Sequence, residues 1–336
     1  MELGTERGNA AGIEIPAEHY WGAETERSRR ELPSGAANEM MPREVIRAFG
    51  ILKKAAARVN FDLLPGQMNE EKCAAIFAAA DEVIRGRLAD EFPLAVWQTG
   101  AGGKANVNVN EVVARRGSEM ADEPLLTPGD VNLSQPPDGA FSAAVRIASA
   151  LAVEEQLLPA VEALLGAPTR GGDTALWRGS IERGRDALRA ALTRLYSLTL
   201  GEASAPEGYA AAAVAEIAKQ TGRPFVPADG AEGEAEPLGG LVAAHGAMRS
   251  LAAGLMSLAG ALRAASGGSC PALCERLEIA AVQVMGNDAA LGFAAAQEGI
   301  GAEEFLPVCA YNFLQSARLL SESLASFAAE YEGEEG

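Results

Sequence analysis

The side chains with the most intrinsic reactivity are few. The chain holds four cysteines, Cys73, Cys270, Cys274 and Cys309, and two histidines, His19 and His245. Only Cys270 and Cys274 lie close together, as C-x3-C. No second pair and no histidine sits near them, so the spacing matches no zinc pattern. Reduced structural thiols fit better than a metal or redox centre, and Cys270–Cys274 is the one pair that merits a redox test. The other suggestive stretch is TGAGGKANVNVNEVVARR, from Thr99 to Arg116, a glycine-rich loop running into a helix with a single cation, Lys104, at the junction. Taken alone, Lys104 reads as a solvent-facing lysine before it reads as an anion contact. None of these residues implies a metal or a cofactor.

Such groups need a scaffold, and composition limits what it can be. With 336 residues the chain can bury a substantial core and is expected to form two packed regions. Hydrophobic residues make up 48% but aromatics only 5%. An apolar content dominated by Ala and Leu favours close helix–helix packing over a β-sandwich. The net charge of −18 argues against nucleic acid and anionic membrane partners, both of which require basic patches. Residues 1–15 lack the basic-then-apolar order of a secretion signal, and no uninterrupted apolar run is long enough for a membrane span. The expected setting is the cytoplasm.

Punctuation by glycine and proline predicts an irregular segment over 1–40. Helices are predicted from Pro42 to Asn60 and over about 69–85, the latter with Asn69 as cap and Glu70 and Glu71 in its first turn. Residues 121–140, rich in proline and glycine, read as a loop. Longer helices follow at 141–165, with a kink expected at Pro159, and at 175–200, with a short one at 207–221. The clearest periodicity is Leu241, Ala244, Met248, Leu251, Leu255, Leu258 and Leu262, a heptad seam. Segments 275–297 and 304–328 add two more long apolar helices. The expected fold is all-α, an elongated bundle of long helices with a smaller helical N-terminal region. The expected domains are 1–125, the bundle at 126–328, and an acidic tail at 329–336.

Several stretches, in order, resemble the aspartase/fumarase superfamily and within it class II fumarate hydratases. They are Ile15-Pro16 with Tyr20-Trp21-Gly22-Ala23-Glu24-Thr25, then Met41-Pro42 with the segment from Ile46 to Ala56, and FPLAVWQTGAGGKANVNVNE at 92–111. The last is similar to the family's F-P-L-x-V-W-Q-T-G-S-G-T-x-x-N-M-N-x-N-E. Val131-Asn132 with Ser134-Gln135, the run AVQVMGN at 281–287, and FLPVCAYNFLQSARLL at 305–320 follow. The resemblance covers about 15–325. It implies a homotetramer built round a core of long helices and an addition or elimination of water, ammonia or an amine across a fumarate double bond. It also implies that the family's small C-terminal domain is absent.

Elimination beside a carboxylate needs a base for a weakly acidic C–H and donors for the charge that builds on the dicarboxylate. The family supplies these from four elements. Its S-G-T is matched by Ala101-Gly102-Gly103, which lacks both hydroxyls, while Thr99, Asn106, Asn108 and Asn110 survive with Lys104 beside them. Its S-S-N-D is matched by Pro136-Pro137-Asp138-Gly139, which removes two hydroxyls and two N–H donors and puts the Asp138 carboxylate where the family has a neutral amide. Its T-H-x-Q has no histidine in Gly172-Asp173-Thr174-Ala175-Leu176. His19 and His245 lie elsewhere and read as surface or packing residues. Its mobile serine loop is reduced to a short turn from Arg263 to Pro271 that keeps Ser266 and Ser269 without the lysine and asparagine. No catalytic residue is matched. The residual substrate-site positions are Thr99, Lys104, Asn106, Asn108 and Asp138.

The reading that follows is a catalytically degenerate homologue, a pseudoenzyme acting as an oligomeric scaffold or regulatory partner. It would self-associate as a tetramer or join a mixed oligomer with an intact lyase. One alternative is an active carbon–oxygen or carbon–nitrogen lyase with a site rebuilt from Lys104, Asp138 and Thr99. The other is a module that binds a small metabolite such as a dicarboxylate without turnover.

Overall fold

The computed structural model describes residues 13, 15, 18–31, 39–166, 174–228, 238–265, 272–297 and 301–333. The described chain is almost entirely helical and divides into two units that interleave along the sequence. The first comprises Met1–Ala148, Tyr196–Pro237 and Glu303–Val308, and the second Ser149–Leu195, Leu238–Ala302 and Cys309–Gly336.

In the first unit, helix α1 spans Ala23–Glu31, α2 Arg43–Leu63, α3 Glu70–Ile84 and α4 Gly103–Met120. Pro42 precedes α2, where its missing N–H costs nothing. Val45, Phe49, Leu52, Ala56 and Val59 recur at spacings of three and four and are buried. Asn69 caps α3, its side chain accepting from the Lys72 amide at 2.9 Å. Helix α2 packs against α3 and against α9, Tyr209–Thr221, and α3 packs against α4. Gly222 ends α9 in a left-handed conformation, φ 67°. Two short strands, β1 Ser197–Leu198 and β2 Val226–Pro227, pair in parallel.

Two segments expected to be irregular contain helices. Helix α1 lies within 1–40, and its first turn is capped from afar. The Glu111 carboxylate on α4 accepts from the Gly22, Glu24 and Thr25 amides and from Thr25 Oγ, at 2.5–3.2 Å. Within α1, Glu26 is buried and bound by Arg29 and Arg30 at 2.8 Å, and the Arg29 hydrogen bonds hold its carboxyl down at about 2. In the expected loop 121–140, a capping box of Thr127 and Asp130 starts a short helix, α5 Pro128–Val131. Helix α6, Pro137–Ala152, then begins with proline in its first turn, and the Pro136 carbonyl accepts from the Ala140 amide at 2.9 Å. The paired prolines start this helix because their fixed φ is already helical.

The second unit contains α7 Leu158–Gly166, α8 Thr174–Leu195, α10 Gly239–Ala265, α11 Ala272–Ala295 and α12 Leu306–Gly333. Between α6 and α7 the chain makes a π-helical turn, Val153–Leu157, with the Leu158 amide bonded to the Val153 carbonyl. Pro159 lacks an N–H and its ring crowds the carbonyl four residues back; the wide turn just before it relieves this. The heptad seam of α10 is buried from Leu241 through Leu258, and Leu262 is half-buried. Helix α10 packs against α8 and α11. A Cβ on Gly184 of α8 would come within 2.6 Å of the Leu251 side chain, so the absent side chain is what admits leucine. Segment Gly239–Ala264 has the length and mean hydropathy, 1.2, of a membrane span, but 56% of that window is buried and α10 reads as a core helix.

Replacing Glu111 by Gln puts an N–H group where a carboxylate oxygen accepts N–H donors. The expected cost is about 2 kcal/mol in denaturant unfolding. Trypsin should also cut at Arg29 and Arg30 sooner than in the parent protein. Unchanged stability and cleavage would show that α1 does not depend on this cap.

Candidate functional site

The glycine-rich loop that leads into α4 is unusual in its backbone. Gly100, Ala101 and Gly102 all have positive φ, 85°, 49° and 84°. Gly102 has a second constraint, since a Cβ there would lie 2.2 Å from the Phe141 ring. Ala101 pays a steric penalty that glycine would not, of about 1 kcal/mol. The loop thus turns sharply over Phe141 and delivers the chain into α4, with no side-chain hydroxyl between Thr99 and Ser118.

Behind this loop is a polar cluster organised by Lys53 of α2. Its side chain is fully buried, and its Nζ donates to Asn106 Oδ1 at 2.7 Å, Gln135 Oε1 at 2.9 Å and Asn132 Oδ1 at 3.0 Å. Asn132 Oδ1 also accepts from Asn106 and Asn110, at 3.0 and 3.1 Å. Gln135 returns its own amide hydrogen to the Val131 carbonyl, and Asn132 to the Gln135 carbonyl. Ser134 sits at φ 64° and donates to Asn60 Oδ1 at 2.8 Å, while Asn60 donates to the Leu133 carbonyl. Three segments of the first unit are therefore fastened to one ammonium group. Burial pushes that ammonium well below its ordinary value, and no carboxylate among the described residues offsets the effect.

The expected site residues divide by this geometry. Asn106 belongs to the Lys53 cluster. Asn108 is buried and donates to the Glu91 carbonyl at 3.0 Å. Thr99 is exposed. Lys104 reaches Glu31 of α1 at 2.8 Å, an exposed pair that draws the Glu31 carboxyl below its usual range. Asp138 is in the first turn of α6, and its side chain lies outside the described residues, as do Ser266, Ser269, Cys270, Gly172 and Asp173. Lys53 went unremarked in the sequence beyond its place in a matching stretch. The available signal was its register, one turn beyond Phe49 on the face of α2 that also buries Leu52 and Ala56.

The remaining reactive groups are accounted for locally. His19 stacks on Trp21 at 3.7 Å and contacts Glu91 at 3.3 Å. His245 is buried and contacts Asp288 at 3.0 Å and Ser316 at 2.8 Å. Cys73, Cys274 and Cys309 are buried, and burial pushes Cys309 up to about 12. Among the described residues no group of three or more His, Cys, Asp or Glu could hold a metal ion.

Lys53→Met would orphan Asn106 Oδ1 and Gln135 Oε1 while recovering the desolvation of the ammonium, for an expected net loss of about 2 kcal/mol near neutral pH. The pH dependence is the sharper measurement. A lysine held below its unfolded value of 10.5 is less protonated when folded, so parent stability should rise with pH in the window below 10.5. That slope should vanish in the variant. Equal slopes in both proteins would place the Lys53 titration at its unfolded value.

The comparisons with known proteins agree on one relationship. A family described as lyase matches residues 12–170. A class II fumarate hydratase of Pseudomonas aeruginosa is 37% identical, aligning 96% of this chain with 82% of its own length. One from Bacillus subtilis is 34% identical over 97% of this chain and 82% of its own. Among solved structures, a class II fumarase from Schistosoma mansoni superposes with a TM-score of 0.87 at 24% identity, covering 96% of this chain and 82% of that one. A fumarate lyase:delta crystallin from Brucella melitensis gives 0.86 at 26%, with the same coverage. With the buried helices of both units accounting for the shared fold, the chain belongs to the aspartase/fumarase superfamily, in its class II fumarate hydratase branch.

Proposed function

We propose that this chain retains the lyase fold without fumarase-type chemistry and acts through assembly, as a scaffold or as the regulatory partner of an intact relative. The observation that carries this reading is the engagement of the surviving polar groups. Asn106 and Gln135 give their oxygens to Lys53, Asn108 is bound to a carbonyl, and Lys104 is paired with Glu31. Ala101, Gly103, Pro136 and Pro137 stand where the family carries hydroxyls, so the dicarboxylate loses both its donors and its clamp. The buried free thiols of Cys73 and Cys309 suit a reducing, cytoplasmic setting.

Assembly has its own support in the second unit. Helix α11 leaves Ile279, Val282 and Phe293 exposed at 70%, 62% and 73%. Their positions along one helix make an apolar stripe of the kind that a second subunit covers. A second reading, an active lyase with a rebuilt site, draws on identities of 34–37% with proteins named as fumarate hydratases.

Fumarate absorbance decides between them. Purified protein given malate, aspartate, argininosuccinate and fumarate in turn should show no turnover above a blank. Turnover lost on substituting Lys104 or Asp138 would establish the rebuilt site. A thermal shift with a dicarboxylate but no turnover would instead support the binding module. For the assembly, Phe293→Glu should convert an oligomer into a smaller species in sedimentation; a parent protein that is already monomeric would sink the scaffold reading.

A further inference from the structure

His245 on α10, Asp288 on α11 and Ser316 on α12 form a continuous hydrogen-bonded chain across three helices of the second unit. Its order, serine to histidine to aspartate, is that of an acyl-transfer triad. Ser316 and His245 are both 0% exposed, so no substrate can reach the hydroxyl, and another role is required.

The proton positions follow from the partners. The Asp288 carboxylate can only accept, so Nδ1 of His245 carries the hydrogen and Nε2 is left as an acceptor. Ser316 then donates to Nε2. Its oxygen is free to accept, and Asn287 Nδ2 donates to it at 2.9 Å. Asn287 is held in turn by Gln283 at 2.9 Å and Gln315 at 3.0 Å, and the second Asp288 oxygen accepts from Arg249 at 2.6 Å. Every member is satisfied while the ring is neutral. A second ring proton would point at the Ser316 oxygen, displace the hydroxyl hydrogen, and leave it to share the Asn312 carbonyl that already receives Asn287.

We propose that Ser316, His245 and Asp288 form a proton-gated latch that holds α10, α11 and α12 in register while His245 is neutral and releases them when the ring is protonated. The charges acting on the ring are Asp288, which favours its protonation, and Arg249, which opposes it. On the neighbouring helices, Arg185 and Arg189 of α8 turn to Glu162, Arg183, Asp186 and Arg194 of α8 face outward, and Arg318 and Glu322 of α12 are exposed. Cys309 of α12 is buried as a neutral thiol. Burial outweighs Asp288 and keeps the ring below its ordinary 6.5.

The sign of the effect follows. Because the unfolded chain takes up the proton first, the folding equilibrium weakens as pH falls below 6.5. Between about pH 7.5 and about pH 5.5 the expected loss from this one group is at most about tenfold in the folding constant. Urea unfolding at the two pH values should show that loss in the parent protein and not in His245→Asn, whose amide can still donate to Asp288. A parent protein with no greater acid loss than the variant overturns the latch. Should the variant fail to fold, imidazole nitrogen NMR on His19→Gln, which leaves one histidine, decides alone. A neutral ring protonated at Nδ1 that takes up its second proton only below pH 6.5 supports the latch. Protonation at Nε2, or titration at 6.5, overturns it.

Discussion

A buried ammonium group with no carboxylate beside it among the described residues must be satisfied by oxygen dipoles, and this requirement shapes the centre of the first unit. Lys53 draws amide oxygens from α4 and from the segment before α6, so two stretches far apart in sequence are fixed to one point on α2. The hairpin turn at Ser134 and the amide chain through Asn132 are consequences of meeting that demand.

The sequence disclosed what depends on local pattern. Helices α2 and α3, the Asn69 cap and the buried seam of α10 all follow from residue spacing, because burial of one face and satisfaction of one helix end are decided within a few residues. What was hidden depends on partners distant in the chain. Helix α1 has no cap of its own and borrows Glu111. The prolines at 136 and 137 read as a loop because proline ends helices more often than its role at their first turn is noticed. Lys53 stands next to Lys54 in the sequence, yet Lys54 turns outward to Asp81 while Lys53 turns in. Of the expected site, Asn106 is part of the Lys53 cluster and Lys104 pairs with Glu31 outside it.

The two units solve the problem of buried polarity differently. In the first, a charged group is surrounded by neutral acceptors. In the second, a neutral ring is strung between a carboxylate and a hydroxyl, and the charge is passed outward to the exposed Arg249. Both arrangements tie three elements together, and both restrict which neighbours a side chain may have more tightly than apolar packing does. Helix register is then set at a few polar positions while Ala- and Leu-rich faces supply most of the burial.

The distant cap on α1 also imposes an order on how the chain acquires its structure. Nine residues make too short a helix to persist alone, and the acceptor for its first turn lies 86 to 89 positions further along. Bringing those ends together has a loop-closure cost that only a formed α2–α3–α4 packing offsets. On a ribosome, α1 is therefore synthesised well before it can settle, and its segment stays accessible to chaperones and proteases until α4 has emerged.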